Sequence, residues 1–306
     1  MKLVLTLLLL ASYVASGWGT SPAPPATLVF VGDIMLARGV GRIMEEKNNW
    51  QYPFLEIKKT LTDADLLIGN LEGPISSRGV KVGSIYSFRA DPRAVLGLTG
   101  AGFDVLSLAN NHIWDYGRDA FGATLDILKK NEINYIGGGI DYAEAHRAII
   151  KEVKGIKIAF LAYTDLVPVG ITKETSKPAV AFLDPKQIIP DIAKAKTSAD
   201  LVVVSFHWGN EYETKHNQKQ ETIARAVIEA GANLVIGHHP HVAQEIEEYH
   251  GGYIAYSLGN FVFDQNFSTN TRAGLILKVT VKDKKIEKVE PQKIKFTPTY
   301  QPVLDF

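Results

Sequence analysis

Three of the chain's eight histidines fall within four residues, in Leu234-Val235-Ile236-Gly237-His238-His239-Pro240-His241. An apolar run of strand formers stops at a glycine and releases imidazoles. Adjacent residues of a strand face opposite ways, so a core cannot hide all three, and Pro240 breaks regular pairing. A metal or phosphate site is the chemistry such a cluster supports. The same signature recurs along the chain, because apolar runs end repeatedly in Asp, Asn, Glu or His. Val31 leads to Gly32-Asp33, Ile68 to Gly69-Asn70-Leu71-Glu72, Leu108 to Ala109-Asn110-Asn111-His112, and Phe206 to His207-Trp208-Gly209. Carboxylates, amide oxygens and imidazoles suit one or two divalent ions of Mn, Fe or Zn, and with no cysteine present a structural zinc site closed by thiolates is excluded. Two ions held together by a shared carboxylate can clamp the attacking and leaving oxygens of a phosphoester displacement.

The elements that would gather these residues are short apolar runs alternating with helical patterns. The runs begin at Leu28, Ala64, Phe103, Ile156, Leu201, Leu234 and Tyr253. Stripes in 119–131 (Phe121, Leu125, Leu128) and 218–230 (Ile223, Val227, Ile228) read as the core faces of helices, and Asp91-Pro92 to Ala101-Gly102 has the cap and stop of a third. This is the pattern of βα units around a mainly parallel sheet, whose strand ends share one edge and place ligands beyond it. After Ala273 the alternation of Leu275, Leu277, Val279 and Val281, a Lys-rich turn and 286–296 predict an antiparallel hairpin at the end of a sheet. A blander account, in which Asp and Asn after strands only form turns and caps, explains one or two of these sites but not the histidines.

Composition bounds the rest. With 33 basic and 33 acidic residues in 306 there is no bulk positive field to hold nucleic acid, and any partner is recognised locally. The start, Lys2 followed by Leu3 to Leu10 and small residues, reads as a signal peptide or signal anchor over 1–17, followed by a flexible tether over 18–27 containing Pro22, Pro24 and Pro25. One domain over 28–306 follows, expected outside the cytoplasm as a secreted, periplasmic or membrane-anchored protein.

Six motifs in order carry a resemblance: Gly32-Asp33-Ile34-Met35, Gly69-Asn70-Leu71-Glu72, Leu108 to His112 with Asp115 and Gly117, Ser205 to Gly209 with Glu211-Tyr212, Gly237 to Val242, and Ser257-Leu258-Gly259-Asn260-Phe261. Together they resemble the CapA family of capsule and poly-γ-glutamate synthesis, which is related to the calcineurin-like metallophosphoesterases. The resemblance implies a four-layer α/β/β/α sandwich with mixed sheets. It further implies metal ligands at Asp33, Glu72, Asn111, His207, His239 and His241, with His112 protonating the leaving group. Asp115 either orients that imidazole or caps the next helix.

Two departures stand out, since the metallophosphoesterase pattern has His where Met35 stands and a bridging Asp where Asn70 stands. An amide is a poor bridge because it carries no charge, so bridging falls to Glu72 and Asn70 supports it. Asn110, Trp208, Glu211, His238, Asn260 and Arg89 are expected around the ligands or against substrate. The bulk of Trp208, Trp114 and Tyr212 reads first as packing and second as a groove wall, while Arg38, Arg78 and Arg89 read equally as anion grips or surface charges. Asn260 and Asp264 would close the pocket floor, and His146, His216 and His250 are expected at the surface. The function implied is a metal-dependent hydrolase or transferase acting on a phosphoester or anionic polymer, in contact with membrane capsule-synthesis partners. The alternative is a non-catalytic polymer-binding component, which the losses at Met35 and Asn70 favour.

Overall fold

The computed structural model describes residues 24–168, 170–171 and 177–306. The leader read over 1–17, and residues 18–23 of the tether, lie outside the described residues. The tether is shorter at its other end than expected: Ala26 is fully buried and pairs with Val281, so Ala26 and Thr27 already belong to the first strand. Among the described residues no helix is long and apolar enough to cross a membrane.

In chain order the strands are β1 (Ala26–Ile34), β2 (Leu66–Leu71), β3 (Val105–Ser107), β4 (Asn134–Ile136), β5 (Gly138–Gly139), β6 (Ile149–Val153), β7 (Ile156–Thr164) and β8 (Ala179–Val180). They continue as β9 (Leu201–His207), β10 (Leu234–His238), β11 (Ile246–Tyr249), β12 (Gly252–Ala255), β13 (Asn260–Val262), β14 (Ala273–Lys282), β15 (Lys285–Phe296) and β16 (Pro302–Leu304). The helices are α1 (Arg38–Glu46), α2 (Lys58–Thr62), α3 (Val95–Ala101), α4 (Gly117–Lys130), α5 (Tyr142–Ala145), α6 (Pro185–Lys196) and α7 (Gln218–Glu229).

Among the described residues two large mixed sheets result, rather than a single central one, with β5 and β8 forming a separate antiparallel pair. The first runs β16-β15-β14-β1-β2-β3-β4, with β13 added on β1; the second runs β11-β12-β10-β9-β7-β6. Strands β1 to β4 are mutually parallel, as are β7, β9, β10 and β12, so each sheet gathers its strand C-termini at one edge. The β14–β15 hairpin lies where the alternating pattern predicts and extends the first sheet on the β1 side.

The side-chain period of two decides how the layers stack. On β7, β9 and β10 one set of residues (Ile158, Phe160, Leu201, Val203, Leu234, Ile236) joins the core shared with the first sheet. The alternate set (Ala159, Leu161, Val202, Val204, Val235) joins Ile188 and Ile192 of α6 and Ala224, Val227 and Ile228 of α7. Helices α1 to α4 share the core of the first sheet through Val40, Leu61, Leu98, Phe121, Leu125 and Leu128. The chain is therefore the four-layer α/β/β/α sandwich that the motifs imply. Both faces of β7, β9 and β10 are buried, which is why these strands read as continuous apolar runs.

Chain punctuation follows the sequence where the signals are local. Asp91 caps a 3₁₀ turn (Pro92–Ala94) by accepting from the Arg93 amide, and α3 ends at Gly102 with φ +88°. Asn217 forms a reciprocal capping box with Gln220 at the start of α7. Other glycines are fixed by packing instead. A Cβ at Gly237 would lie 1.8 Å from the Tyr256 carbonyl oxygen, whereas one at Gly102 would meet nothing within 4 Å. Gly237→Ala is expected to destabilise by about 3 kcal/mol through overpacking next to His238. Gly102→Ala should cost about 1 kcal/mol, for its left-handed backbone alone. Denaturant midpoints of the two variants check the order; equal losses would show that the Gly237 approach relaxes freely.

Candidate metal centre

The centre forms where the two strand-end edges meet, and β1 delivers its first member. At Gly32 the strand exchanges one partner for another, leaving β14 and taking up β13, with Asp33 donating its amide to the Gly259 carbonyl at 2.9 Å. A Cβ at Gly32 would sit 1.9 Å from that same oxygen. The register shifts on either side of Asp33, before it against β2 and after it against β13, while Asp33 itself stays paired with Asn70 and Asn260.

Asp33 is fully buried and receives groups from both sheets. Asn70 Nδ2 donates to its Oδ1 at 2.9 Å, and the His239 amide donates to its Oδ2 at 3.3 Å. His238 Nδ1 and His241 Nδ1 each stand 3.3 Å from one of its oxygens. Asn70 is spent on hydrogen bonds: its oxygen accepts from Asn110 Nδ2 at 3.1 Å, and Asn110 also donates to the Leu71 carbonyl at 2.8 Å. His241 Nδ1 lies 3.0 Å from Asn260 Oδ1, which can only accept, so this nitrogen is the donor and Nε2 points to Glu72 Oε1 at 3.6 Å. Asn260 is itself held by Gln265 and the Thr271 carbonyl. Across the cleft His207 Nε2 pairs with Asn111 Oδ1 at 2.8 Å.

Two triads of possible donors emerge among the described residues: Asp33, Glu72 and His207, and Glu211, His239 and His241, with ligand atoms inside each triad within 4.8 Å of one another. Their fit to divalent ions rests on unpaired atoms as well as on donor type. Among the described residues Glu72 Oε1 and His239 Nδ1 are buried with no hydrogen-bond partner, a costly arrangement unless something else engages them. Oxygen and imidazole donors without thiolate match Mn, Fe or Zn.

Electrostatics divide the cluster. Burial opposes ionisation of Asp33, yet contacts with His238 and His241 hold its carboxyl well below the usual range. Burial pushes Glu72 well above its ordinary range; His241 pulls the other way, and Asp33, Glu211 and Asp115 reinforce the rise. Burial, with His239 next to it, drives His207 well down, and burial with His241 nearby takes His239 to about 3. Both are neutral imidazoles, the form that ligates. Burial also disfavours charge on His241, but Glu72 and Asp33 outweigh it and raise this histidine to about 9.

His112 stands beside the cluster, its Nδ1 2.8 Å from Asp115 Oδ2 and its ring 4.1 Å from that of Phe88. Asp115 also accepts from the Phe88 amide at 2.7 Å, and α4 starts at Tyr116 without a side-chain cap, so Asp115 orients the imidazole instead of capping the helix.

Several expected neighbours are elsewhere. Trp208 is 1% exposed, stacks on Phe206 and donates to the Tyr256 carbonyl, so it packs against the α7 side and cannot line a groove. Trp114 is likewise buried against Phe121. Arg89 spends its guanidinium on the Arg78 and Gly79 carbonyls and on the Tyr116 ring. Arg38 is ion-paired with Asp264, which also holds the Gly39 amide; Asp264 thus clamps the start of α1 and does not floor the pocket. His146 is buried, not superficial, because Asp191 holds its Nδ1 at 2.9 Å beneath Tyr142. Half-buried His216 stacks on Tyr256, while His250 is exposed as expected. Sequence reasoning placed Glu211 only near the site; its grouping with His239 and His241 depends on a loop crossing that no local signal announces.

A two-sheet sandwich with carboxylate and imidazole donors at its strand ends defines a metallophosphoesterase-like fold. The solved 5'-nucleotidase precursor from Thermus thermophilus shares that fold, with a TM-score of 0.54 at 13% identity over 91% of this chain and 56% of that one. Residues 27–265 match the model of the family described as bacterial capsule synthesis protein PGA_cap, and the chain belongs to that family. The PGA biosynthesis protein CapA of Bacillus subtilis (strain 168) is 37% identical over 250 residues, 81% of this chain and 66% of that protein. The capsule biosynthesis protein CapA of Bacillus anthracis is 35% identical over 258 residues, 82% of this chain. The match covers 62% of the anthracis protein, so the chain spans less than two thirds of the length of either relative.

The pKa pattern gives the metal chemistry a sign. In the metal-free protein at pH 7 His241 holds a proton, and Glu72 is biased toward holding one. Both must lose it to ligate, so metal uptake should release at least about one proton and affinity should rise between pH 6 and about 9. Calorimetric titration in buffers of different ionisation heat reads the release directly. A pH-independent affinity with no proton release would remove His241 and Glu72 from the ligand set.

Proposed function

We propose that this chain is an exported, metal-dependent hydrolase or transferase of capsule-type polymer metabolism, acting on a phosphoester or on an amide of an anionic polymer such as poly-γ-glutamate. The observation that carries it is the His112–Asp115 pair, a pre-oriented proton donor set beside a cluster of unpaired metal donors. Asp33, Glu72, Asn111, His207, His239 and His241 would hold one or two divalent ions, with Asn70, Asn110 and Asn260 fixing their orientation. Such ions supply charge neutralisation and polarisation of the group under attack.

The protein's own residues do the rest. Asp115 accepts from Nδ1 of His112, which leaves Nε2 to carry the proton delivered to the leaving oxygen or nitrogen. Phe88 lies against the imidazole and excludes water from one side of it. Asp115 acts as a positioning residue, since it is 1% exposed and reaches substrate only through His112. The family's association with poly-γ-glutamate, taken from its named relatives, supports an anionic polymer as the substrate class. The export reading is supported by the sequence of residues 1–17.

A second reading, a polymer-binding component without turnover, is favoured by one feature. Asn70 brings a neutral amide where a bridging carboxylate would stand, and its oxygen accepts from Asn110 while its nitrogen is shared among Asp33, Glu72 and His207.

His112→Ala should lower turnover of bis(p-nitrophenyl) phosphate or γ-glutamyl polymer by about 10²–10⁴-fold while metal content stays unchanged. Loss of ions in parallel with activity would sink the proton-donor role. Metal-loaded wild type that turns over neither substrate at any pH would instead establish the binding component.

A further inference from the structure

The first strand brings one carboxylate to the centre, and the loop on the opposite wall brings another. Met35 is fully buried, and its sulfur accepts from the Ala37 amide at 3.1 Å, so β1 brings only Asp33 to the centre. On the opposite wall the loop after β9 turns back over the histidine turn. Gly209 (φ +86°) and Tyr212 (φ +66°) reverse it, and the Tyr212 amide donates to the Pro240 carbonyl at 2.8 Å. That bond pins the neighbouring Glu211 against His239 and His241, all three offering ligand atoms within 4.8 Å. His239 and His241 are 5% and 2% exposed, and His239 Nδ1 has no hydrogen-bond partner among the described residues. Glu211 is the exposed member, on the solvent side of the triad.

We propose that Glu211 is the carboxylate ligand of an outer ion held with His239 and His241, while Asp33, Glu72 and His207 hold an inner ion. The inference rests on the metal-centre reading above and adds to it a division between the two positions. The inner triad is entirely buried; the outer one has an open side toward solvent and substrate. Two imidazoles and one carboxylate leave coordination positions free, as in metal sites that engage a substrate.

The test uses manganese alone on the full chain, with metal counted by mass spectrometry and the ions observed by electron paramagnetic resonance. Wild type should bind two ions that couple magnetically. Glu211→Gln should weaken the outer ion by more than about 100-fold, leaving one ion with an uncoupled signal. Glu211→Asp should retain part of the outer affinity. Glu213→Gln, a neighbouring charge removed from the same loop, should bind like wild type. Glu211→Gln that keeps two coupled ions at unchanged affinity overturns the assignment, and so does an equal loss in Glu213→Gln. Failure of wild type itself to bind manganese would instead strike the metal-centre reading, which separates the two failures. Thermal unfolding of metal-free variants guards against misfolding, and the exposed position of Glu211 predicts midpoints like the wild type's.

Discussion

A single buried carboxylate ties the two sheets together. Asp33 is fully buried at the bulged end of β1, and a charge placed there is tolerable only when neighbouring groups replace the water it has lost. Those groups come from both sides: Asn70 from β2, and His238, the His239 amide and His241 from the end of β10 and the turn after it. Removing any of them takes away part of what replaces the water around that charge. The geometry around the cleft follows from this demand, including the bulge at Gly32 and the close approach of the Gly259 carbonyl that only a glycine permits.

The histidine turn shows how little sequence distance matters to electrostatics. His239 and His241 are two residues apart and both buried, yet one is pushed to about 3 and the other raised to about 9. Burial disfavours charge on both. The difference is that His241 faces Glu72 and Asp33, whereas His239 faces other imidazoles, with ring centroids 4.9 Å from His207 and 5.8 Å from His241. Both residues sit at positive φ, a conformation that costs a non-glycine residue on the order of 1–3 kcal/mol and that the surrounding network must over-determine. The turn is thus a strained element held in place by the carboxylate it serves.

Asn70 illustrates the trade made at this centre. A carboxylate at that point would add a second negative charge beside Asp33, while the amide donates to Asp33 and accepts from Asn110, building a relay from β2 to the β3 loop. What is lost is charge available to a cation; what is gained is order among the groups that remain. The second carboxyl available to a cation is that of Glu72, two residues on, which burial keeps toward its protonated form and whose Oε1 makes no hydrogen bond among the described residues.

Much of this was legible along the chain, because the signals were local. Apolar runs ending in Asp, Asn or His marked β1, β2, β3, β9 and β10, and caps and glycines bounded α3, α4 and α7 to within a few residues. The six motifs pointed to the family and to the residues that converge. Elements with weak local signals were invisible: α1 contains two glycines, α6 a proline, and β13 is three residues that exist as a strand only because β1 changes partner beside them. Side-chain direction was equally beyond sequence. Whether Trp208 faced the cleft or the α7 core, whether Arg89 reached the donors, and whether Asp115 served His112 or a helix turned on backbone geometry set by distant strands. The sequence determined which donors would be present and that strand ends would carry them, since period and punctuation are properties of neighbours. Only the tertiary structure decided which donors share a cavity and which are charged, since Coulombic pairing and burial depend on separations that chain order does not encode.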